Sequence, residues 1–306
     1  MSTPIPRTIA EYLEQLRAAL RGADPALIQD ALYDAEEHLR SEMHENPGKS
    51  EAEVLAKLAT SYGAPEEVAE LYVDKEAKVQ EALRPPPRPP RRTVLGRFFA
   101  VGSDPRAYAA LFYMLLSLGT GIVYFTLTVM GVSLSLGLIV VVIGIPLAIV
   151  FLGTARVLSL VEGRLVEVML GERMPRRPVY SARNVPFKTR IWEMLADPRT
   201  WTTLLYFVMM LPLGIVYFTL AVTGMTMAIS FIFAPIAHVG WMLGLVRIDW
   251  ATHIHFNDTL LTPWWLDDPL LFVLGIALLF GMLHLARGIG KFQGALAKEL
   301  LVKSAS

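Results

Sequence analysis

Two imidazoles and a carboxylate fall within six residues in His253-Ile254-His255-Phe256-Asn257-Asp258, and His238 and Asp249 lie upstream of them. Alternate side chains of an extended segment point the same way, so His253 and His255, with Asp258 as an oxygen donor, could present a ligand set to a metal such as zinc. The same imidazoles titrate near neutral pH and suit proton sensing equally well. Spacing alone does not separate either role from that of ordinary polar loop residues, so the metal assignment stays open. A second group, Glu37, His38, Glu42 and His44, places His38 and Glu42 four apart on one helix face. The favoured reading there is a solvated face, since an amphipathic helix must be polar on one side. His284, near the inner end of the last apolar run, reads as satisfied or interfacial. The chain has no cysteine, which excludes disulfides, thiolate nucleophiles and Cys-ligated metals. It also carries no P-loop, no His-Glu-(any)2-His pair, no Gly-(any)-Ser-(any)-Gly elbow and no dinucleotide fingerprint. The expectation is a protein that is not an enzyme and uses no cofactor.

Trp241, Trp250, Trp264 and Trp265 could line a pocket for an apolar or lipid-like ligand, but an aromatic belt at a membrane interface is the simpler expectation. The elements that position these residues follow from charge. The 306 residues carry 28 basic and 28 acidic side chains, and that balance conceals two unlike parts. Residues 1–83 hold 17 acidic and 8 basic groups, a charge of −9, and the remainder carries +9. Mean hydropathy is +0.45. No Asp, Glu, Lys or Arg occurs from Ala107 to Ala155 or from Thr200 to Val246. About 20 apolar residues cross a bilayer core as a helix, so each run has room for more than one crossing. The first run begins far from the N-terminus, so no cleavable signal peptide is expected.

Basic residues orient the spans. Arg173, Arg176, Arg177, Arg183, Lys188, Arg190 and Arg199 fill the loop between the two runs, and Arg287, Lys291, Lys298 and Lys303 fill the tail. Both regions should be cytoplasmic. From Asp249 to Asp268 there are four aspartates and no Lys or Arg, which should face outside. Four spans near 108–130, 133–155, 201–223 and 269–287 satisfy this rule. The interval 225–246, interrupted by Pro235 and His238, is then expected to be re-entrant, interfacial or packed across the outer ends, although a fifth span is an alternative.

In the first eighty residues the apolar spacing is helical, through Tyr12, Leu13, Leu16 and Leu20, then Ile28, Ala31, Leu32, Ala35 and Leu39, then Val54, Leu55 and Leu58, then Val68, Leu71 and Tyr72. Asp24-Pro25 supplies a cap followed by proline at the first helical position. Ser50-Glu51-Ala52-Glu53 is a capping box, and Gly63-Ala64-Pro65 is a stop and restart. The run Asp34-Ala35-Glu36-Glu37-His38, the helix opened by Gly48-Lys49-Ser50-Glu51-Ala52-Glu53, and Tyr62-Gly63-Ala64-Pro65-Glu66-Glu67-Val68-Ala69 together resemble the HAAS-type signalling domain. That resemblance implies a protein partner such as a PadR-like helix-turn-helix regulator, with Asp34, Glu37 and His38 as candidate contacts. Direct nucleic-acid binding is not expected of so acidic a module.

Arg84-Pro85-Pro86-Pro87-Arg88-Pro89-Pro90-Arg91-Arg92 cannot continue a helix and reads as an extended linker whose arginines favour anionic headgroups. Beyond it, a shift of 93 residues lays Asp104-Pro105-Arg106 on Asp197-Pro198-Arg199, Tyr113 on Tyr206 and Gly131 on Gly224, and Gly121 to Leu127 recurs identically as Gly214 to Leu220. A shift of 131 lays Ala155-Arg156 and Gly163 on Ala286-Arg287 and Gly294. These registers indicate a duplicated unit of span, return span and amphipathic exit helix lying along the membrane surface. Tyr124 and Tyr217, with Thr126 and Thr219, repeat within the spans, and glycines allow close helix approach. The pattern of Asp-Pro-Arg before each first span, the Gly-Ile-Val motif and the Ala-Arg exit, with Arg106, Tyr124, Arg199 and Tyr217 as its motif residues, resembles the four-helix membrane sensor domain of bacterial signalling proteins. Relatives often place it ahead of a histidine kinase, and no kinase motif follows here.

The expected fold class is all-α: a soluble helical domain over 1–83, a Pro/Arg-rich linker over 84–98, and a four-span helical bundle built from repeats at 99–193 and 194–306, the second with an insertion at about 225–268. The resemblances imply a sensor of the bacterial inner membrane that couples a stimulus to a cytoplasmic regulator, with membrane lipids as partners and homo-oligomerisation left open. A transporter or lipid-binding membrane protein is the alternative.

Overall fold

The computed structural model describes residues 6–83, 93–138, 143–177, 195–244 and 264–302, which are predominantly helical and contain no strand. The first four helices are α1 (Ile9–Ala19), α2 (Pro25–Glu45), α3 (Glu51–Ser61) and α4 (Pro65–Leu83). Their starts are the ones the sequence marks. Thr8 Oγ1 accepts from the Glu11 amide at 3.2 Å, and Asp24 Oδ1 from the Ala26 amide at 2.9 Å. Ser50 and Glu53 cap each other reciprocally at 3.2 and 3.3 Å, which satisfies two amides that an uncapped helix start would leave open. Gly63 turns the chain between α3 and α4 at φ 108°, a conformation a side chain would strain. Leu16, Leu20, Ala31, Ala35, Leu39 and Val54 form a shared core, and the Tyr12 hydroxyl donates to the Gly63 carbonyl at 3.0 Å. Leu71 departs from the expected core, being 65% exposed.

After α5 (Val94–Phe99) and a 3-10 turn at Ala100–Ser103 come α6 (Pro105–Gly137), α7 (Gly144–Leu165), α8 (Pro198–Met242) and α9 (Trp264–Leu301). These provide four candidate membrane spans. Between 17% and 33% of each apolar window is buried, so most of the apolar surface faces outward, as lipid-facing helices require.

The helices run longer than the hydropathy pattern suggested. α6 continues to Gly137, so the return span begins near 144 rather than 133. The interval 225–242 is neither re-entrant nor a separate span: it continues α8 without a break through Pro212 and Pro235. At 1.5 Å per residue the 45 residues of α8 extend roughly 67 Å, more than twice the roughly 30 Å bilayer core. Nor are the exit helices separate surface helices. The first continues α7 through a wider π-type turn at Val166–Leu170, and the second is the C-terminal part of α9.

By contact the chain forms two compact units, one of Met1–Pro89, Leu127–Tyr206 and Gly294–Ser306, the other of Pro90–Thr126 and Phe207–Gln293. In the second unit α6 and α8 meet at paired glycines. A Cβ on Gly121 would stand 2.6 Å from the Met210 carbonyl oxygen, and one on Gly214 would collide with the Ser117 carbonyl oxygen. Gly224 likewise packs on Met282 there, and Gly131 packs on Phe151 in the first unit. The Asp104 carboxylate pairs with Arg287 at 3.2 Å in the second unit, while Asp197 lies 3.7 Å from Arg156 in the first.

Because backbone cannot yield as a flexible side chain can, Gly214→Ala is expected to destabilise the membrane half by about 1–3 kcal/mol. Gly119→Ala, where a Cβ would meet no atom within 4 Å, should be neutral. Thermal unfolding of the two variants in detergent checks this; equal midpoints would contradict the close crossing.

Candidate functional site

The first unit contains a concentrated set of buried charges, built on α2. Asp30 and Asp34 are one turn apart on that helix and share a face with Gln29 nearby. Asp30 is 6% exposed, and its carboxylate is fully engaged. Oδ1 accepts the successive backbone amides of Arg176 and Arg177 at 2.7 and 2.8 Å, and Oδ2 accepts from Arg173 Nη2 at 3.0 Å. Burial pushes the Asp30 carboxyl above the ordinary carboxylate value, and the two amides and the Arg173 guanidinium act against that shift.

The donors lie on the segment that leaves α7. Gly171 ends that helix at φ 80°, where the left-handed conformation favours glycine, and the chain then runs without regular secondary structure through Arg173 and bends at Arg176 and Arg177. Arg173 is the hub: besides Asp30 it pairs with Glu76 of α4 at 3.1 Å and Glu167 at 3.6 Å. Arg176 pairs with Glu167 at 3.0 Å, a contact that raises the arginine's already high pKa. Arg177 pairs with Asp34 at 3.1 Å, and its guanidinium lies 5.6 Å from the centre of the Tyr33 ring, within cation–π range.

Three further contacts close the arrangement. Gln29 Nε2 donates to the Arg177 carbonyl at 2.7 Å, Gln29 Oε1 accepts from Arg199 Nη1 of α8 at 2.7 Å, and Asp24 pairs with Lys298 of α9 at 2.6 Å. The N-terminal domain is therefore held through its α2 face by the end of α7, the start of α8 and the end of α9. The Asp30–Arg173 pair is nearly dry, so losing one partner removes hydrogen bonds that water does not readily replace, whereas exposed pairs contribute little.

Asp34 belongs to this cluster and also accepts from the Tyr72 hydroxyl at 3.1 Å; burial raises the Tyr72 pKa. Of the other expected contact residues, His38 stacks on Tyr62 with ring centres 4.4 Å apart, and Glu37 is exposed and outside the cluster. Asp30, Gln29 and Glu76 were not singled out by sequence reasoning. In the sequence Arg173, Arg176 and Arg177 mark only the topology. The one local signal was a dense basic loop in a chain whose acidic excess lies in another domain.

The membrane motif residues are structural neighbours of helix starts and crossings. Arg106 is exposed, and its amide, like that of Arg199, donates to the aspartate two residues before it, at 3.2 and 3.0 Å. Tyr124 stacks on Phe207 at 4.6 Å, and the Tyr217 hydroxyl donates to Gln293 at 3.1 Å. Gln293 is wholly buried and also reaches the Tyr113 hydroxyl at 3.4 Å. In the first unit the wholly buried Glu162 accepts from the Tyr206 hydroxyl at 2.8 Å.

His238 sits on α8 with Nδ1 2.6 Å from Asp268 Oδ2 of α9. His284 Nε2 lies 3.0 Å from the Phe98 carbonyl oxygen and stacks on that ring. Among the described residues no group of three or more His, Cys, Asp or Glu could hold a metal ion. Asp249, Trp250, His253, His255, Asn257 and Asp258 lie outside the described residues, as does the side chain of Trp241.

Asp30→Ala should loosen the α2 face by about 1–3 kcal/mol, because two backbone amides lose their acceptor while Arg173 keeps Glu76 and Glu167. Arg40→Ala, which removes an exposed pair with Glu36, should cost no more than about 0.5 kcal/mol. Hydrogen exchange of residues 171–177 and α2 in the full chain reads the difference: faster exchange is expected in the first variant alone.

A family model described as "Putative sensor" matches residues 113–301, and one described as "HAAS" matches residues 11–70. Comparison with curated proteins and with solved structures gave no match.

Proposed function

The chain belongs to the family described as "Putative sensor" and carries a HAAS domain ahead of that region, and from this premise we propose that it is a signalling protein of the bacterial inner membrane whose output is the release of its N-terminal domain. The observation that carries this reading is the Asp30 contact. The acidic face that would meet a cytoplasmic regulator is engaged by Arg173, Arg176 and Arg177, and these follow α7 directly. Any rotation or shift of α7 moves the donors relative to α2, and two amides with one guanidinium on a single carboxylate do not tolerate such a shift gradually. The stimulus would thereby bias a two-state element.

In this reading both termini are cytoplasmic, in agreement with the basic residues that follow α7 and end α9. Asp30 and Asp34, with Glu37 and His38 beside them, are then the face offered to a regulator of the PadR-like type once it is freed. The segment with Asp249, Trp250, His253, His255 and Asp258, together with Trp241 and His238, is the proposed stimulus side. Duplication of the membrane half is supported by contacts that recur under the two sequence shifts: Arg156–Asp197 with Arg287–Asp104, Gly131–Phe151 with Gly224–Met282, and Glu162–Tyr206 with Gln293–Tyr113.

One observation favours a second reading. Glu162, an acid with no exposed surface inside a candidate span, is the kind of group ion-coupled carriers keep within the membrane. Uptake by proteoliposomes that is lost in Glu162→Gln would support transport.

Arg173→Glu should free the N-terminal domain and raise capture of a cytoplasmic regulator from native membranes at least tenfold, since reversing a buried charge costs more than about 1.4 kcal/mol. Deletion of residues 1–83 should abolish capture. Capture that is unchanged by Arg173→Glu, or that survives the deletion, overturns the proposed output.

A further inference from the structure

Tyr108 stands near the start of α6, where it is 50% exposed, and its hydroxyl donates to the Gly102 carbonyl at 2.8 Å. In the first unit Trp201 is 58% exposed near the start of α8, and its indole N–H donates to the Leu195 carbonyl at 2.9 Å. The shift of 93 that lays Tyr108 on Trp201 also lays Gly102 on Leu195, so one arrangement recurs at the start of both helices. An aromatic ring with a satisfied polar tip and an exposed body suits the headgroup level of a bilayer, which is wet on one side and apolar on the other. Through its bond to Gly102, Tyr108 places the 3-10 turn Ala100–Ser103 at that level. The helix α5 (Val94–Phe99) leads directly into this turn.

With six residues α5 is too short to persist alone in water, where helices below about 12 residues are marginal. Thr93 Oγ1 caps it by accepting the Gly96 amide at 3.2 Å, and one side is packed on α9. Phe98 stacks on His284 at 5.4 Å, its carbonyl accepts from His284 Nε2 at 3.0 Å, and Phe99 meets Phe280 edge-on at 4.8 Å. The turn that follows is fixed to the same helix, because Val101 shares a small core with Leu283. The other side of α5 faces outward. Leu95 and Phe99 are four apart and share a face, and both are exposed, Leu95 by 70%. Arg97, also exposed, lies roughly 200° around the helix from each of them, so α5 has an apolar edge and a basic edge.

We infer that α5 lies in the plane of the lipid–water interface as a membrane anchor, with Leu95 and Phe99 turned to the acyl chains and Arg97 to the headgroups of anionic phospholipid. Continuity and charge identify this occupant. A single turn joins α5 to a candidate span, whose outward surface continues through Phe112, one helical turn beyond Tyr108. Residues 82–103 carry five arginines and no acidic residue, a charge that anionic headgroups complement. A helix with an apolar edge and a basic edge is the form that binds such a surface without crossing it. Because α9 already holds α5 in place, immersion adds little ordering cost. The anchor fixes the point at which the chain from the N-terminal domain reaches the membrane. Immersion stands on the second unit alone; only the assignment to the cytoplasmic leaflet rests on the proposed orientation.

The chain has no cysteine, so Leu95→Cys and Arg97→Cys each give the full protein a single labelling site, and both side chains are exposed, which leaves the contacts of α5 with α9 intact. Each variant carries a nitroxide in nanodiscs of phosphatidylcholine and phosphatidylglycerol, and paramagnetic resonance reads its accessibility to oxygen, which concentrates in lipid, and to a water-soluble nickel complex. Phe112→Cys serves as the lipid reference and Arg40→Cys as the water reference. The oxygen-to-nickel ratio at position 95 should be several-fold above that at 97 and should approach that at 112. Equal ratios at 95 and 97, both near the value at position 40, overturn the anchor. A label at 95 shielded from both reagents overturns lipid as the occupant in favour of a protein surface, either a second copy or another part of the chain. The ratio at 95 should fall when phosphatidylcholine replaces all the phosphatidylglycerol; an unchanged ratio overturns the part given to the arginines. The leaflet is read separately, by a membrane-impermeant maleimide on Arg97→Cys in right-side-out and inverted vesicles of native membrane. Labelling confined to inverted vesicles is expected. Labelling confined to right-side-out vesicles overturns the proposed orientation and leaves the anchor standing.

Discussion

A carboxylate that accepts two successive main-chain amides and a guanidinium dictates the path of the chain that donates them. Asp30 imposes this on residues 173–177, because amides cannot rotate to a new partner as side chains can. The remaining contacts of the first unit fit around that constraint. Arg173 can reach Glu76 and Glu167 only while its own segment is held, and Gln29 reaches the Arg177 carbonyl and Arg199 from the adjoining position of α2. The cost of burying Asp30 is offset only by the complete set of donors.

The membrane helices obey a different constraint. Hydrocarbon offers no hydrogen-bond partner, so a span ends where its backbone can be satisfied and not where hydropathy falls. This explains why α6, α7, α8 and α9 continue past the spans expected from hydropathy. Glycines Gly121 and Gly214 permit α6 and α8 to approach until each lies against the other's carbonyl oxygen, which gives packing where no hydrophobic driving force is available. Continuity matters for signalling as well. The exit from the membrane is a continuous helix into Val166–Leu170, and the basic segment follows it at once, so no loose joint separates span from contact.

Much of this was legible in advance. The apolar periodicity of the first eighty residues, the caps at Asp24 and Ser50 and the turn at Gly63 are local properties, and each element begins where its side chains dictate. Leu71 followed the same period yet lies exposed, because periodicity states which residues share a face and not whether a neighbour covers it. The interval 225–242 was misread for a related reason. Pro235 and His238 weaken a helix locally, but the helix persists when its neighbours hold it: Ile232 packs on Gly275 of α9, and His238 pairs with Asp268.

The sequence by itself determined the acidic helical domain, the apolar spans, the arginine-rich loops and the two family resemblances, since these depend on composition and short-range spacing. Only the tertiary structure decided which acid meets which base. Asp30 and Arg173 are 143 residues apart, Gln29 and Arg199 are 170 apart, and Asp24 and Lys298 are 274 apart. Charge complementarity between the domains was visible as a sum. The selection of Asp30 over the sixteen other acidic residues of its domain was not, because it depends on which carboxylate is buried beside two free amides, and that is a property of packing.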